Sequence, residues 1–349
     1  MTEARRAIRP RPRSVHELLF TPDTRGVLIA ASRDPDAKMT FIVTPAPGTF
    51  PGGPAGPIAV KIPVTAVAAA AIRHETEMLI DLRAAGLGRL GETIPRYVET
   101  LDSDGLPALV STALPGRPMS VAYHHWLHTA QARWVAVDFA LAGGWLRQFQ
   151  SATSGERRQL RWADEVAGQL RRRWPGHPQL ESALIRLSSA DHQLGDQRVC
   201  RTMVHGDYWF GNLLVDDGVI TGVVDWEGGE HSGWPLRDLV RFAVSYCLYL
   251  DRHTRPGHRV LRHSGLRRAD FGAGISYGLL GQGWLPDLVR SHLRNGLASL
   301  GLPPELWYSA ALAGLGEVAA LANDDTFGSD HLDLLAKLPL WPTEQPDER

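Results

Sequence analysis

Short apolar runs separated by turn signals dominate the first third of the chain. Gly26 to Ser32 and Met39 to Thr44 are rich in Val, Ile and Phe, residues that fit a pleated, half-buried surface. The Asp34-Pro35 step between them marks a turn. Pro45 to Pro57 is a Pro/Gly-rich loop, and Ile58 to Ile62 predicts a third strand. From Thr65 to Leu87 the period changes. Ile72, Leu79 and Leu82 recur at helical intervals, and Gly86 and Gly88 supply stop signals. Ile94 to Val98 and Leu106 to Thr112 predict two further strands. Leu114-Pro115-Gly116 then breaks the pattern. Beyond it helical patterns prevail, over Ala130 to Gln150, Trp162 to Trp174 and Pro178 to Leu187, with Val204 to Glu227 as a strand-like exception. Strands first and helices afterwards predict an α+β fold in two lobes. Residues 1–114 form a small antiparallel sheet with one helix inserted after its third strand, and residues 115–349 form a mainly helical lobe.

Composition narrows the classes. A chain of 349 residues exceeds what one core usually serves, in keeping with two domains. The net charge of -1 gives no field to attract nucleic acid or anionic lipid. No apolar run reaches the roughly 18 residues that a bilayer span needs. The Arg-rich start (Arg5, Arg6, Arg9, Arg11, Arg13) has no apolar segment behind it and does not read as a secretory signal. Two cysteines, Cys200 and Cys247, stand far apart and offer neither a CxxC metal site nor a disulfide framework. The expectation is a cytoplasmic protein, monomer or homodimer, without nucleic-acid or membrane partners.

The densest chemistry lies in His205-Gly-Asp207-Tyr-Trp-Phe-Gly-Asn212, followed by apolar residues, Asp216-Asp217-Gly218, a second apolar run and Asp225-Trp226-Glu227. Asp-Gly between two apolar runs is a hairpin signal, because both central turn positions favour positive φ. With Asp217-Gly218 at the centre, Asn212 pairs near residue 223, so Asn212 and Asp225 are expected at the same end, with Asp207 in the loop leading into it. One amide carbonyl and one carboxylate suit a hard cation such as Mg2+ and would make a poor zinc site. A separate Asp is placed to accept a hydroxyl proton.

The window from His205 to Glu227 resembles the catalytic motif of the aminoglycoside phosphotransferase and choline kinase superfamily, the protein-kinase-like small-molecule kinases. Gly233-Trp234-Pro235-Leu236-Arg237-Asp238-Leu239 resembles the family's following segment, whose Asp is structural. The resemblance implies a bilobal protein-kinase-like fold and phosphoryl transfer from ATP or GTP, with Mg2+, to a small-molecule hydroxyl. It makes Asp207 the base, Asn212 and Asp225 the metal ligands, and His205 a support for the loop. On the nucleotide side it implies Lys61 on the third strand as the phosphate cation. Glu75 or Glu77 would be its partner, and the family pattern of Glu followed four residues later by Leu matches Glu75 and Leu79. Only three lysines (Lys38, Lys61, Lys337) stand among 37 basic residues, which marks Lys61 as a position where a compact charge is wanted. Thr112 and Leu114, before Pro115-Gly116, correspond to the base-reading hinge. No Gly-x-Gly-x-x-Gly lies between the first two strands.

On the acceptor side the signal weakens. Residues 251–300 are Arg- and His-rich, and Arg252 to Arg268 reads as a loop. Asn323, Asp324 and Asp325 are the best candidates for contact with a cationic substrate, with a solvated loop or helix end as the other reading of the cluster. The resemblance leaves an antibiotic or secondary-metabolite kinase beside a metabolic kinase for a sugar or choline-like alcohol. A pseudokinase is the alternative from another class.

Overall fold

The computed structural model describes residues 12–21, 23–32, 36–50 and 56–342. Two compact units emerge, Met1–Gly116 with Thr221–Gly229, and Arg117–Ile220 with Glu230–Arg349. The first carries a five-stranded antiparallel sheet and the second is mainly helical, so the fold is α+β as predicted. Glycines 52 and 53 of the Pro/Gly-rich loop, and residues 33–35 of the turn before Lys38, lie outside the described residues.

In the first unit a short helix α1 (Val15–Leu19) precedes strands β1 (Arg25–Ala31), β2 (Lys38–Thr44), β3 (Ile58–Pro63), β4 (Tyr97–Ser103) and β5 (Leu106–Thr112), in spatial order β1-β2-β3-β5-β4. Helix α2 (Ala66–Ala84) is inserted after β3. The sheet core gathers Val43, Ile58, Val60, Ile62, Leu101, Ala108 and Val110, with Val15 and Leu18 of α1 packed on it. Thr65 caps α2 by accepting a hydrogen bond from Ala68 N–H. The helix buries Ala68, Ala69, Ile72, Glu75, Met78, Leu79 and Leu82, a stripe at 3–4 residue spacing in which Glu75 is the one charged member. Gly86 and Gly88 both take positive φ after the helix, the conformation that lets a glycine end it. One boundary moves. Gly88–Thr93 forms 3-10 turns, and the strand expected at Ile94 begins at Tyr97.

The second unit begins with β6 (Arg117–Pro118) and α3 (Met119–Tyr123), continues through α4 (Ala132–Ala152), β7 (Arg157–Gln159), α5 (Trp162–Arg173) and α6 (Leu180–Leu194), and reaches β8 (Arg198–Cys200), β9 (Thr202–Val204) and β10 (Leu213–Asp216). Strand β11 (Val219–Val223) follows the turn Asp217-Gly218, whose residues have φ of 46° and 74°, the positive pair that the sequence predicts. After β12 (Glu230–Gly233) come α7 (Leu236–Leu248), α8 (Ala273–Leu280), α9 (Trp284–Ser299), α10 (Trp307–Leu321) and α11 (Asp325–Lys337). Helix α7 is almost wholly buried. The segment 252–268 closes on itself: Arg268 donates to the carbonyls of Arg252 and Thr254, and its own carbonyl accepts from Gly257 N–H. Cys247 is buried, and burial pushes its thiol up to about 12.

Candidate active site

In the first unit the sheet and α2 assemble an ion cluster. Lys61 on β3 donates to both carboxylate oxygens of Glu75, at 2.7 and 2.6 Å, and to Asp225 Oδ1 at 2.7 Å. Glu75 therefore partners the lysine, and Glu77 does not appear in that contact set. Glu75 Oε1 also accepts from Trp226 N–H at 3.2 Å, which ties the helix to the Asp225-Trp226-Glu227 segment. Asp225 adopts φ 72° and ψ 62°, a left-handed conformation that costs a non-glycine residue energy and is typical of functional sites. Lys38, which the sequence reading left unused, ion-pairs with Glu227, lies 3.3 Å from Asp36 and stands 4.0 Å from Asp225.

Electrostatics follow from that inventory. Among the described residues, four carboxylates (Asp36, Glu75, Asp225, Glu227) face two ammoniums. Burial, followed by the charge of Asp225, pushes Glu227 up to about 7 against the pull of both lysines. Lys61 is raised because Asp225 and Glu75 outweigh its desolvation. Ligand atoms of Glu75, Asp225 and Glu227 lie within 4.8 Å of one another, and Asp36 Oδ1 is buried without a hydrogen-bond partner. A hard divalent cation fits this oxygen-rich, under-neutralised set.

Of the hinge pair, Thr112 is buried in β5. Its N–H donates to the Arg96 carbonyl and its Oγ1 accepts from Arg96 N–H, both at 2.9 Å, so its amide is engaged within the sheet. Leu114 lies just past the strand.

In the second unit the loop between β9 and β10 carries His205, Asp207 and Asn212. Gly206 has φ 79°, a turn that a side chain would strain. Buried Asp238 on α7 accepts from His205 N–H at 2.7 Å and from Gly206 N–H at 2.9 Å, anchoring the loop. Burial raises the Asp238 carboxyl, and its bonds to this loop oppose that rise. His205 Nδ1 accepts from Asp207 N–H at 3.2 Å, the supporting contact that the motif implies. Asn212 Nδ2 donates to the Asp207 carbonyl at 3.0 Å and to Asp207 Oδ2 at 3.2 Å.

The residue that sequence reasoning missed here is Arg241. Its Nε donates to Asp207 Oδ1 at 2.9 Å, and Nη2 approaches the same oxygen at 2.8 Å. The only available signal was its place on the buried α7 helix, one turn after Asp238. The tail cluster stands at a helix end, the alternative reading of its sequence. Asp324 caps α11 by accepting from Phe327 N–H at 2.7 Å, and Asp325 ion-pairs with Arg173. Trp145 and Trp307 are buried, whereas Trp126 is 86% exposed.

A family model described as the phosphotransferase enzyme family matches residues 50–272, more than half of the chain. No curated protein matches by sequence. Among solved structures, aminoglycoside phosphotransferase APH(4)-Ia is similar at 12% identity, covering 89% of this chain and 93% of that one with a TM-score of 0.54. A thermostable mutant of that enzyme, in ternary complex with ADP and hygromycin B, gives 11% identity, the same coverage and a TM-score of 0.53. A macrolide 2'-phosphotransferase from Brachybacterium faecium gives 18% identity over 90% and 92%, with a TM-score of 0.48. The two likenesses to APH(4)-Ia show a kinase-like phosphotransferase fold. Among the described residues no helix is long and apolar enough to cross a membrane.

Proposed function

We propose that this chain, which belongs to the phosphotransferase enzyme family, is a magnesium-dependent kinase that transfers the γ-phosphoryl of ATP to a hydroxyl of a small molecule, an antibiotic or secondary metabolite. The observation that carries the reading is the lysine–carboxylate cluster of Lys61, Glu75 and Asp225, a phosphate cation held by a buried acid beside a metal-ligating carboxylate. ADP in a ternary complex of a similar fold supports adenine as the base.

When bound, Mg2+ would neutralise charge on the phosphates and orient them, with Asp225 and the carbonyl oxygen of Asn212 as its ligands. The rest falls to the chain's own side chains. Lys61 pairs with phosphate oxygens while Glu75 holds it in place. Asp207 receives the acceptor's hydroxyl proton. Its Oδ1 is loaded by the Arg241 guanidinium, which leaves Oδ2, bonded among the described residues to Asn212 at 3.2 Å, as the accepting atom. Arg241 is thus a positioning residue for the base. Asp238 and His205 fix the loop on which the base stands.

Within this reaction the acceptor class is read from charge. Asp324 and Asp325 are spent on a helix cap and an ion pair, so the acidic cluster expected to greet a polycation is occupied. The Arg- and His-rich residues 251–300, whose only acids are Asp251, Asp270 and Asp287, suit a neutral or weakly charged hydroxyl compound better than a polycationic aminoglycoside. Transfer of labelled phosphate from [γ-32P]ATP to panels of macrolides, aminoglycosides, sugars and choline-like alcohols tests both levels. The expected product lies outside the aminoglycosides. Aminoglycoside labelling would overturn the acceptor class, and no labelling of any panel would count against the kinase.

A further inference from the structure

Two of the chain's three lysines meet at one carboxylate oxygen. Lys61 lies 2.7 Å and Lys38 4.0 Å from Asp225 Oδ1. The strand register explains how. Thr40 on β2 pairs with Lys61 on β3, and Lys38 pairs with Pro63, so Lys38 and Lys61 share a sheet face at diagonal positions. Like charges placed so repel unless acids lie between them, and Asp225 and Glu227 supply those acids.

Lys38 is not a solvated surface lysine. Only 10% of its side chain is exposed, and holding a long buried ammonium costs both desolvation and rotamer freedom. A purely structural ion pair would match its charges, whereas here, among the described residues, four acids gather around two lysines and Asp36 Oδ1 is buried without a donor. The surroundings of Lys38 nonetheless raise its proton affinity, because Asp225 and Glu227 outweigh burial. In a chain whose other 34 basic residues are arginines, an ammonium at this position is a compact charge with three rotatable donors, suited to phosphate oxygens more than to a planar carboxylate fork.

We propose that Lys38 is a second phosphate-binding cation, which pairs with the nucleotide's phosphate oxygens beside Lys61 once Asp225 and Glu227 turn toward a metal. In the structure the same acids hold its ammonium in place. The inference rests on the nucleotide-binding reading of this cluster and adds a residue to it.

Calorimetric titration with two probes tests it. AMP-PNP with Mg2+ carries the phosphates, and adenosine lacks them. Lys38→Met keeps the buried stem and removes the charge. It is expected to weaken AMP-PNP binding by about 10- to 100-fold, the range of one or two charge-assisted contacts, and to leave adenosine affinity unchanged. Lys38→Arg keeps the charge but not the compact ammonium, and is expected to lose affinity by less than Lys38→Met does. Unaltered AMP-PNP affinity in Lys38→Met would overturn the inference. So would an equal loss for both probes, which marks a folding defect, or a loss in Lys38→Arg as large as that in Lys38→Met. If the parent binds neither probe, the nucleotide reading falls and takes Lys38 with it. Parent binding with no effect of Lys38→Met removes Lys38 alone.

Discussion

The ion cluster around Lys61 and the loop around Asp207 treat charge in opposite ways. In the first, four carboxylates surround two ammoniums, one acid oxygen is buried without a partner, and Glu227 is pushed up to about 7. In the second, a single carboxylate is matched by a single guanidinium, and the backbone that carries it is pinned by Asp238. An under-neutralised cluster invites a cation and the phosphates that travel with it. A neutralised base invites nothing, but it stays where it is put, and phosphoryl transfer rewards positioning more than basicity. On the proposed function, the difference separates residues that bind from residues that orient.

That distinction can be broken by mutation. Asp207→Ala is expected to lower turnover by roughly 10²–10⁴-fold with nucleotide affinity nearly intact. A comparable fall in AMP-PNP affinity would place Asp207 among the binding residues. Arg241→Ala is expected to cost about 10- to 100-fold in kcat at unchanged KM for ATP, with part of the loss recovered in Arg241→Lys. Because Arg241 acts through the base, it should cost nothing further in an Asp207→Ala background. Additive losses in the double variant would show that it works elsewhere.

A smaller effect concerns pH. His292 and His331 on the second unit are held neutral by burial, which pushes each down to about 4. A histidine lowered in this way contributes stability that is full above its unfolded pKa near 6.5 and is lost as pH falls toward 4. Between pH 7 and pH 5 each should forfeit about 2 kcal/mol. Urea midpoints across that range measure the loss, and His292→Gln should flatten the slope. The smallest expected effect is at the tail. Asp324→Ala should cost about 1 kcal/mol through its helix cap and leave acceptor KM unchanged. A raised KM would restore it to the substrate site.

Much of this was legible before any coordinates. The family pattern of Glu75 with Leu79 picked the acid that α2 buries, on the same face as Ile72 and Leu79. Asp217-Gly218 announced its turn, and both residues take the positive φ that such turns need. Each signal depends on a few neighbouring residues, because periodicity and backbone preference act over one or two turns of chain. The strand expected from Ile94 starts three residues later, at Tyr97, for the same reason: local apolar pattern marks an element's presence better than its first residue.

Other features waited for the tertiary structure. Arg241 meets Asp207 from 34 residues away, and Lys38 meets Glu227 across 189. Asp238 anchors a loop more than thirty residues before it, and Asp325 is neutralised by Arg173. No spacing rule reaches such pairs, since strand register and helix packing decide which charges share a face. The sequence alone determined the secondary elements, the motif and the reaction class they imply. Packing decided which charges are spent on one another and which are left for a ligand, because an ion pair is a property of two positions in space.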